Sequence, residues 1–137
     1  MRRSLLVTLP VFLVFWSFAA RGDDGVDQIA GAWQQIESNA GTCPHCRVSI
    51  DQHDSSVTVT ANNGWSADLV VGKKDGSVKA IGKGRWRSSL TGAIAGKQFN
   101  VDFVLKDKRL YMSMLVDMGN GSRRTIRVVF GRLWSGV

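Results

Sequence analysis

The chain predicts an all-β protein: an eight-stranded antiparallel up-and-down meander β-barrel, preceded by a cleaved signal peptide. Three observations carry this. Short segments alternate apolar and polar residues with a period of two, which puts one face of each on a core. Hairpin-turn dipeptides punctuate them at Asn62-Asn63-Gly64, Asp75-Gly76 and Gly119-Asn120-Gly121. Beyond the leader, no long window repeats every 3.6 residues, so no long amphipathic helix is expected.

The segments are taken in order. The first spans Trp33–Ile36 and runs into the turn cluster Ser38-Asn39-Ala40-Gly41. The second, Cys46–Asp51, alternates Cys46, Val48 and Ile50 with Arg47, Ser49 and Asp51. The third is Val57–Ala61, and Asn62-Asn63-Gly64 folds it back onto the fourth, Trp65–Val71, where Trp65, Ala67, Leu69 and Val71 share a face. Asp75-Gly76 leads to the fifth, Val78–Trp86, whose inward row Val78, Ala80, Gly82, Gly84, Trp86 is small in the middle. Glycine inside a strand marks a bend or a close backbone approach. Thr91–Gly96 is a loop. The sixth segment, Gln98–Lys106, aligns Phe99, Val101, Phe103 and Leu105. The seventh, Leu110–Met118, aligns Leu110, Met112, Met114, Val116 and Met118, and the eighth, Thr125–Trp134, aligns Ile126, Val128, Phe130 and Trp134. Hairpin-joined strands form a meander, and closing it removes the exposed edges.

Residues 1–22 read as a secretory leader. Met1-Arg2-Arg3 is a basic start, Leu5–Phe18 is almost unbroken apolar, and small residues follow at Ser17, Ala19 and Ala20. Cleavage after Ala19 or after Gly22 fits the small-residue rule, and an uncleaved anchor is the alternative. Residues 23–137 then form a single β-barrel domain, exported to the periplasm or secreted. From Asp23 onward 15 Lys and Arg stand against 11 Asp and Glu, a net charge of +4 (15 − 11). Outside the cytoplasm this modest charge points to an envelope or anionic surface or to solubility, with no nucleic acid as partner. The basic residues are spread over many segments, which favours a solvated surface.

Gly31-Ala32-Trp33 opens the first strand, and Arg127 or Arg132 lies on the last. This pattern resembles the calycin pattern of lipocalins and, more loosely, avidins. The resemblance implies that an arginine near the chain's end packs across the Trp33 ring to close the barrel's base. A guanidinium over an indole is favourable by about 1 kcal/mol or somewhat more. The second lipocalin motif is absent, and no biotin site is carried over.

Cys43-Pro44-His45-Cys46 admits three readings: a plain disulfide, a redox pair and half of a zinc site. A redox pair needs its first cysteine at a helix start, whereas here a strand follows and no proline lies downstream of Pro44. His53, the remaining ligand of zinc-binding type apart from carboxylates, lies roughly 20 Å along an extended strand. A disulfide is chemically allowed in an oxidising compartment. Met112, Met114 and Met118 share a face; they read as core filling or as thioether ligands for Cu(I).

Catalysis has little to build on. His45 and His53 sit in no nucleophile motif, and nothing marks the pairs Asp51/Asp54 and Asp102/Asp117 as perturbed. No cofactor and no resident metal are implied. Trp33, Trp65, Trp86 and Trp134 are many large aromatics for so short a chain. An eight-stranded barrel is just wide enough to be filled by side chains or to hold one small ligand. The expectation is therefore an exported small-ligand-binding barrel, with a hydrophobic or amphipathic molecule among Trp33, Trp65, Trp86, Phe99, Phe103 and Met114. The alternatives are a protein–protein interaction or inhibitor module acting through loops Gly41–Cys46, Arg85–Thr91 and Asn120–Arg124, and thiol-redox or metal handling at Cys43 and Cys46.

Overall fold

The alternation of apolar and polar residues folds as its period dictates. The computed structural model describes residues 29–133; residues 1–22, expected to be a leader, the segment Asp23–Gln28 and Trp134 lie outside the described residues. Eight strands follow one another: β1 Gly31–Ser38, β2 Arg47–His53, β3 Ser56–Ala61, β4 Trp65–Lys74, β5 Ser77–Trp86, β6 Gln98–Lys106, β7 Arg109–Gly119 and β8 Ser122–Arg132. Each pairs antiparallel with the next, and β8 pairs with β1, so the sheet is a closed barrel. The all-β, eight-stranded, up-and-down expectation holds.

The turns follow from residues that tolerate positive φ. Asp75 and Gly76 (φ 53° and 78°), Asp107 and Lys108 (51° and 64°), and Asn120 and Gly121 (52° and 75°) each have both central residues in the left-handed region, the conformation of the tight primed hairpin. At Asn62-Asn63-Gly64 only Gly64 has positive φ. β1 is longer than its sequence signal because Ile36 sits at a bulge, where the pairing with β8 shifts between Gln35 and Glu37. β2 begins one residue later than expected, at Arg47, although the Cys46 carbonyl still accepts a hydrogen bond from the Gln35 N–H at 2.9 Å.

The strands are strongly staggered. Followed from Gly31 through Ile50, Val59, Ala67, Gly84, Phe99 and Val116, the register reaches Arg124. Because Val128 faces Ser38, Arg124 falls level with position 42, a displacement of eleven positions (42 − 31), one of them supplied by the bulge. Such a stagger goes with strands tilted by roughly 35–45° to the barrel axis.

The interior is apolar throughout, and no polar or charged side chain is fully buried among the described residues. The outward rows carry Arg47, Asp51, Asp68, Lys83 and Asp102. A membrane-spanning barrel has the reverse polarity, with an apolar band outside.

Gly82 and Gly84 mark a close approach between backbones. A methyl group added to Gly82 would stand 1.9 Å from the Asp68 carbonyl oxygen, and one added to Gly84 would stand 2.2 Å from that of Ser66. β5 is pressed onto β4 there. The space left by Gly84 is taken by the Phe99 ring, whose Cζ would lie 2.5 Å from such a methyl.

Candidate ligand site at the open end of the barrel

The two ends of the barrel differ, and the difference defines the site. At the end where β1 begins and β8 finishes, Trp33 is fully buried beneath Ile29. Its indole Nε1–H donates to the Ile29 carbonyl at 2.8 Å. The Arg132 guanidinium lies over the ring, 4.2 Å from its centroid, and donates through Nη1 to the Ala30 carbonyl at 2.8 Å. Gly31 (φ 120°) gives this guanidinium room, since an added methyl would meet its Nη1 at 3.2 Å. Burial lowers the Arg132 pKa from its usual value, yet a guanidinium starts so high that it stays charged. This end is plugged.

At the opposite end two of the connections are longer. Residues 39–46 and 87–97 rise around the opening instead of turning tightly. The second of these folds against the rim. The Arg87 N–H donates to the Gly64 carbonyl at 2.8 Å, the Gly96 N–H to the Arg87 carbonyl at 3.2 Å, and Leu90 packs over Gly64. The first is laced to β8 by Asn39, whose Nδ2 donates to the Thr125 carbonyl at 3.1 Å and whose Oδ1 accepts from the Arg127 N–H at 2.8 Å. Between these loops opens a cavity of about 310 Å³, at the lower end of the ~300–1,000 Å³ range of small-molecule pockets.

Its walls are apolar: Trp65 and Trp86 on one side, Met112 and Met114 at β7, Ile126 and Phe130 at β8. The rim is polar and carries Arg47 and Arg124, with no carboxylate anywhere in the lining. Trp65, Trp86 and Phe99 form a cluster. The Trp65 and Phe99 rings meet edge to face at 5.6 Å and 89°, and Trp86 lies 6.4 Å from Trp65 and 6.5 Å from Phe99. Such contacts hold a wall rigid, at about 0.5–1.5 kcal/mol per pair beyond the area buried. The Trp86 Nε1–H is buried without an acceptor among the described residues.

The fold divides the residues that the sequence groups as ligand-binding. Trp65, Trp86 and Met114 line the cavity. Phe99 stands behind the two tryptophans as their support. Phe103 lies in the core, 6.4 Å from Phe130. Trp33 belongs to the plug at the far end. Of the two arginines left open by the sequence, Arg132 stacks on Trp33; Arg127 is exposed on β8 and takes part in the Asn39 lacing through its backbone. Sequence reasoning left out Arg47 and the β8 wall as ligand-site residues, and offered Arg124 only within the contact loop Asn120–Arg124. Ile126 and Phe130 were legible as inward, but not as cavity-lining.

Cys43 and Cys46 are disulfide-bonded, with Cα atoms 5.3 Å apart, and both line the mouth. Their loop is held from below. Gln34 Nε2 donates to the Pro44 and Cys46 carbonyls, both at 3.0 Å, and Asn62 Nδ2 donates to the His45 carbonyl at 2.7 Å. Gln34 Oε1 in turn accepts from Arg47 Nε at 3.0 Å. The disulfide loop and the rim arginine thus share one anchor. His53 ends β2 near the plugged end, away from His45. Among the described residues no three His, Cys, Asp or Glu side chains converge on a metal position.

Comparisons of the chain with protein-family models, curated proteins and solved structures returned no match.

Proposed function

We propose that the protein is an exported barrel that binds one small hydrophobic or amphipathic molecule at its open end. The observation carrying this reading is an apolar cavity, walled by a braced aromatic cluster and two methionines, in a barrel sealed at its other end by Trp33 and Arg132. A mouth at one end and a plug at the other give a binding cup. The buried, unpartnered Trp86 Nε1–H adds support. Leaving such a group unpaired costs about 1–3 kcal/mol, and an acceptor carried in by a ligand recovers it. The disulfide is compatible with export.

Titration with the neutral probe N-phenyl-1-naphthylamine tests the reading. One saturable site is expected, with quenching or energy transfer from Trp65 and Trp86. Met114→Trp, which fills the cavity while keeping the interior apolar, should abolish binding and leave the fold intact. Absence of saturable binding to the wild-type barrel overturns the reading.

A protein–protein module is the second reading. The observation favouring it is that loops Gly41–Cys46, Arg85–Thr91 and Asn120–Arg124, far apart in sequence, all surround the same opening. Recovery of a stoichiometric protein partner from envelope extract, lost on substitution of these loops, distinguishes it from the binding cup.

A further inference from the structure

We infer that the cup takes a compact amphiphile with an anionic head, a carboxylate or phosphate, held at the rim by Arg124 above the apolar chamber, with Arg47 adding positive charge from the outer side of β2. The inference rests on the binding-cup reading and names its ligand class. Four features of the mouth support it.

The first is charge. The lining contains two arginines and no acidic side chain, so an anion entering the rim meets attraction and no repulsion. The second is availability. The Arg124 side chain, in register with the inward Ile126 and Val128, makes no hydrogen bond or ion pair within the described fold, whereas Arg47, on the outward row of β2, binds Gln34 through its Nε. The Arg124 guanidinium is thus free to donate at the mouth. Guanidinium forks match carboxylate and phosphate oxygens in pairs, which a lysine does not do. The third is placement. Arg47 begins β2 and Arg124 stands near the start of β8, strands that flank β1 on either side. They are separated by 77 positions in sequence (124 − 47) and are brought to one rim only by closure of the barrel. Gln34 also buttresses Arg47 while it holds the disulfide loop. The fourth is depth and polarity. Directly below the rim the chamber has Met112, Met114, Ile126 and Phe130, which offer an apolar tail no polar partner. About 310 Å³ suits a compact tail and leaves little room for a long one.

The test displaces bound N-phenyl-1-naphthylamine with decanoate, decyl phosphate and decanol, which share a tail and differ in the head. The two anions should bind about ten-fold tighter than decanol, and their advantage should shrink between 50 mM and 500 mM salt. Arg47→Gln with Arg124→Gln should remove the advantage while changing decanol binding by less than about two-fold. Lys108→Gln, in the hairpin at the plugged end, should change neither. Should decanoate prefer carboxylate pairing over decyl phosphate, or the reverse, the head chemistry is narrowed and the inference supported. If decanol binds as tightly as both anions, or the double variant keeps their advantage, the inference is overturned and the binding-cup reading stands. If neither the probe nor any amphiphile binds, both are overturned.

Discussion

Replacing Gly82 by alanine tests the packing of β5 on β4, on which the cavity wall depends. The added methyl would lie 1.9 Å from the Asp68 carbonyl oxygen and 2.7 Å from the Leu69 Cα. Ordinary contact for a Cβ begins near 3.4 Å. Both obstacles are backbone, so no side-chain rotation relieves the clash; the strands must separate. Overpacking of this kind costs about 1–3 kcal/mol, and straining the ladder at the Leu69–Gly82 pair adds roughly 0.5–1.5 kcal/mol for a weakened hydrogen bond. Against this, removing glycine from the unfolded chain returns only about 0.4–1 kcal/mol. The net expectation is a loss of about 2–3 kcal/mol, which in a domain of this size lowers Tm by roughly 8–15 °C. Gly72→Ala is the matched control: it lies in β4, its φ is not positive, and nothing stands within 4 Å of an added methyl. It should be neutral or slightly stabilising. Urea unfolding followed by circular dichroism reads both. Equal stability of Gly82→Ala and Gly72→Ala would refute the close-approach argument.

Three further outcomes are expected. Arg132→Gln removes the guanidinium from the Trp33 ring and weakens the contact with the Ala30 carbonyl, so it should cost about 1–3 kcal/mol in thermal unfolding, while binding of the neutral probe at the other end changes little. Cys43→Ser with Cys46→Ser opens a loop of sequence separation 3; chain entropy limits the loss to about 2 kcal/mol, but decanoate affinity should fall more than decanol affinity, because the loop and Arg47 share Gln34 as anchor. Phe99→Leu takes away the edge-to-face support of Trp65; denaturation should show a loss of about 1–3 kcal/mol and near-ultraviolet dichroism a weaker tryptophan band, and an unchanged tryptophan signal would show that the cluster does not hold the wall.

Much of the barrel was legible because its signals are local. Asp75-Gly76 and Asn120-Gly121 state their turns within two residues, and alternation along β4 and β7 states which side chains point inward. Gly82 and Gly84 announced a close approach without saying to what; the answer, the Asp68 and Ser66 carbonyls, needs the β4–β5 register. The site was less legible because it depends on which end of the barrel stays open. Phe99 and Phe103 occupy equivalent inward positions four residues apart on β6, yet one braces the cavity wall and the other fills the core beside Phe130. No periodicity separates them. Arg47 and Arg124 read as members of a scattered basic set, since nothing local reports that barrel closure and stagger bring them to one rim.

The asymmetry of the ends follows from the meander's own connectivity. A closed meander brings both ends of its strand series, the start of β1 and the finish of β8, to one end of the barrel. Ile29, just before β1, and Arg132, at the close of β8, are thereby available to pack on Trp33 without any long connection. The remaining turns at that end are tight hairpins at Asp54-Ser55, Asp75-Gly76 and Asp107-Lys108, too short to reach over the axis. The other end receives no chain end, and its extra length lies in residues 39–46 and 87–97, which are secured to the rim by Asn39, Gln34 and Arg87 rather than across it. Plugging the first end with an aromatic–cation stack and leaving the second end ringed by pinned loops separates two tasks. The plug and the Trp65–Trp86–Phe99 cluster are fixed by ring contacts, whereas the chamber between is walled by Met112 and Met114, whose unbranched side chains adapt to what enters.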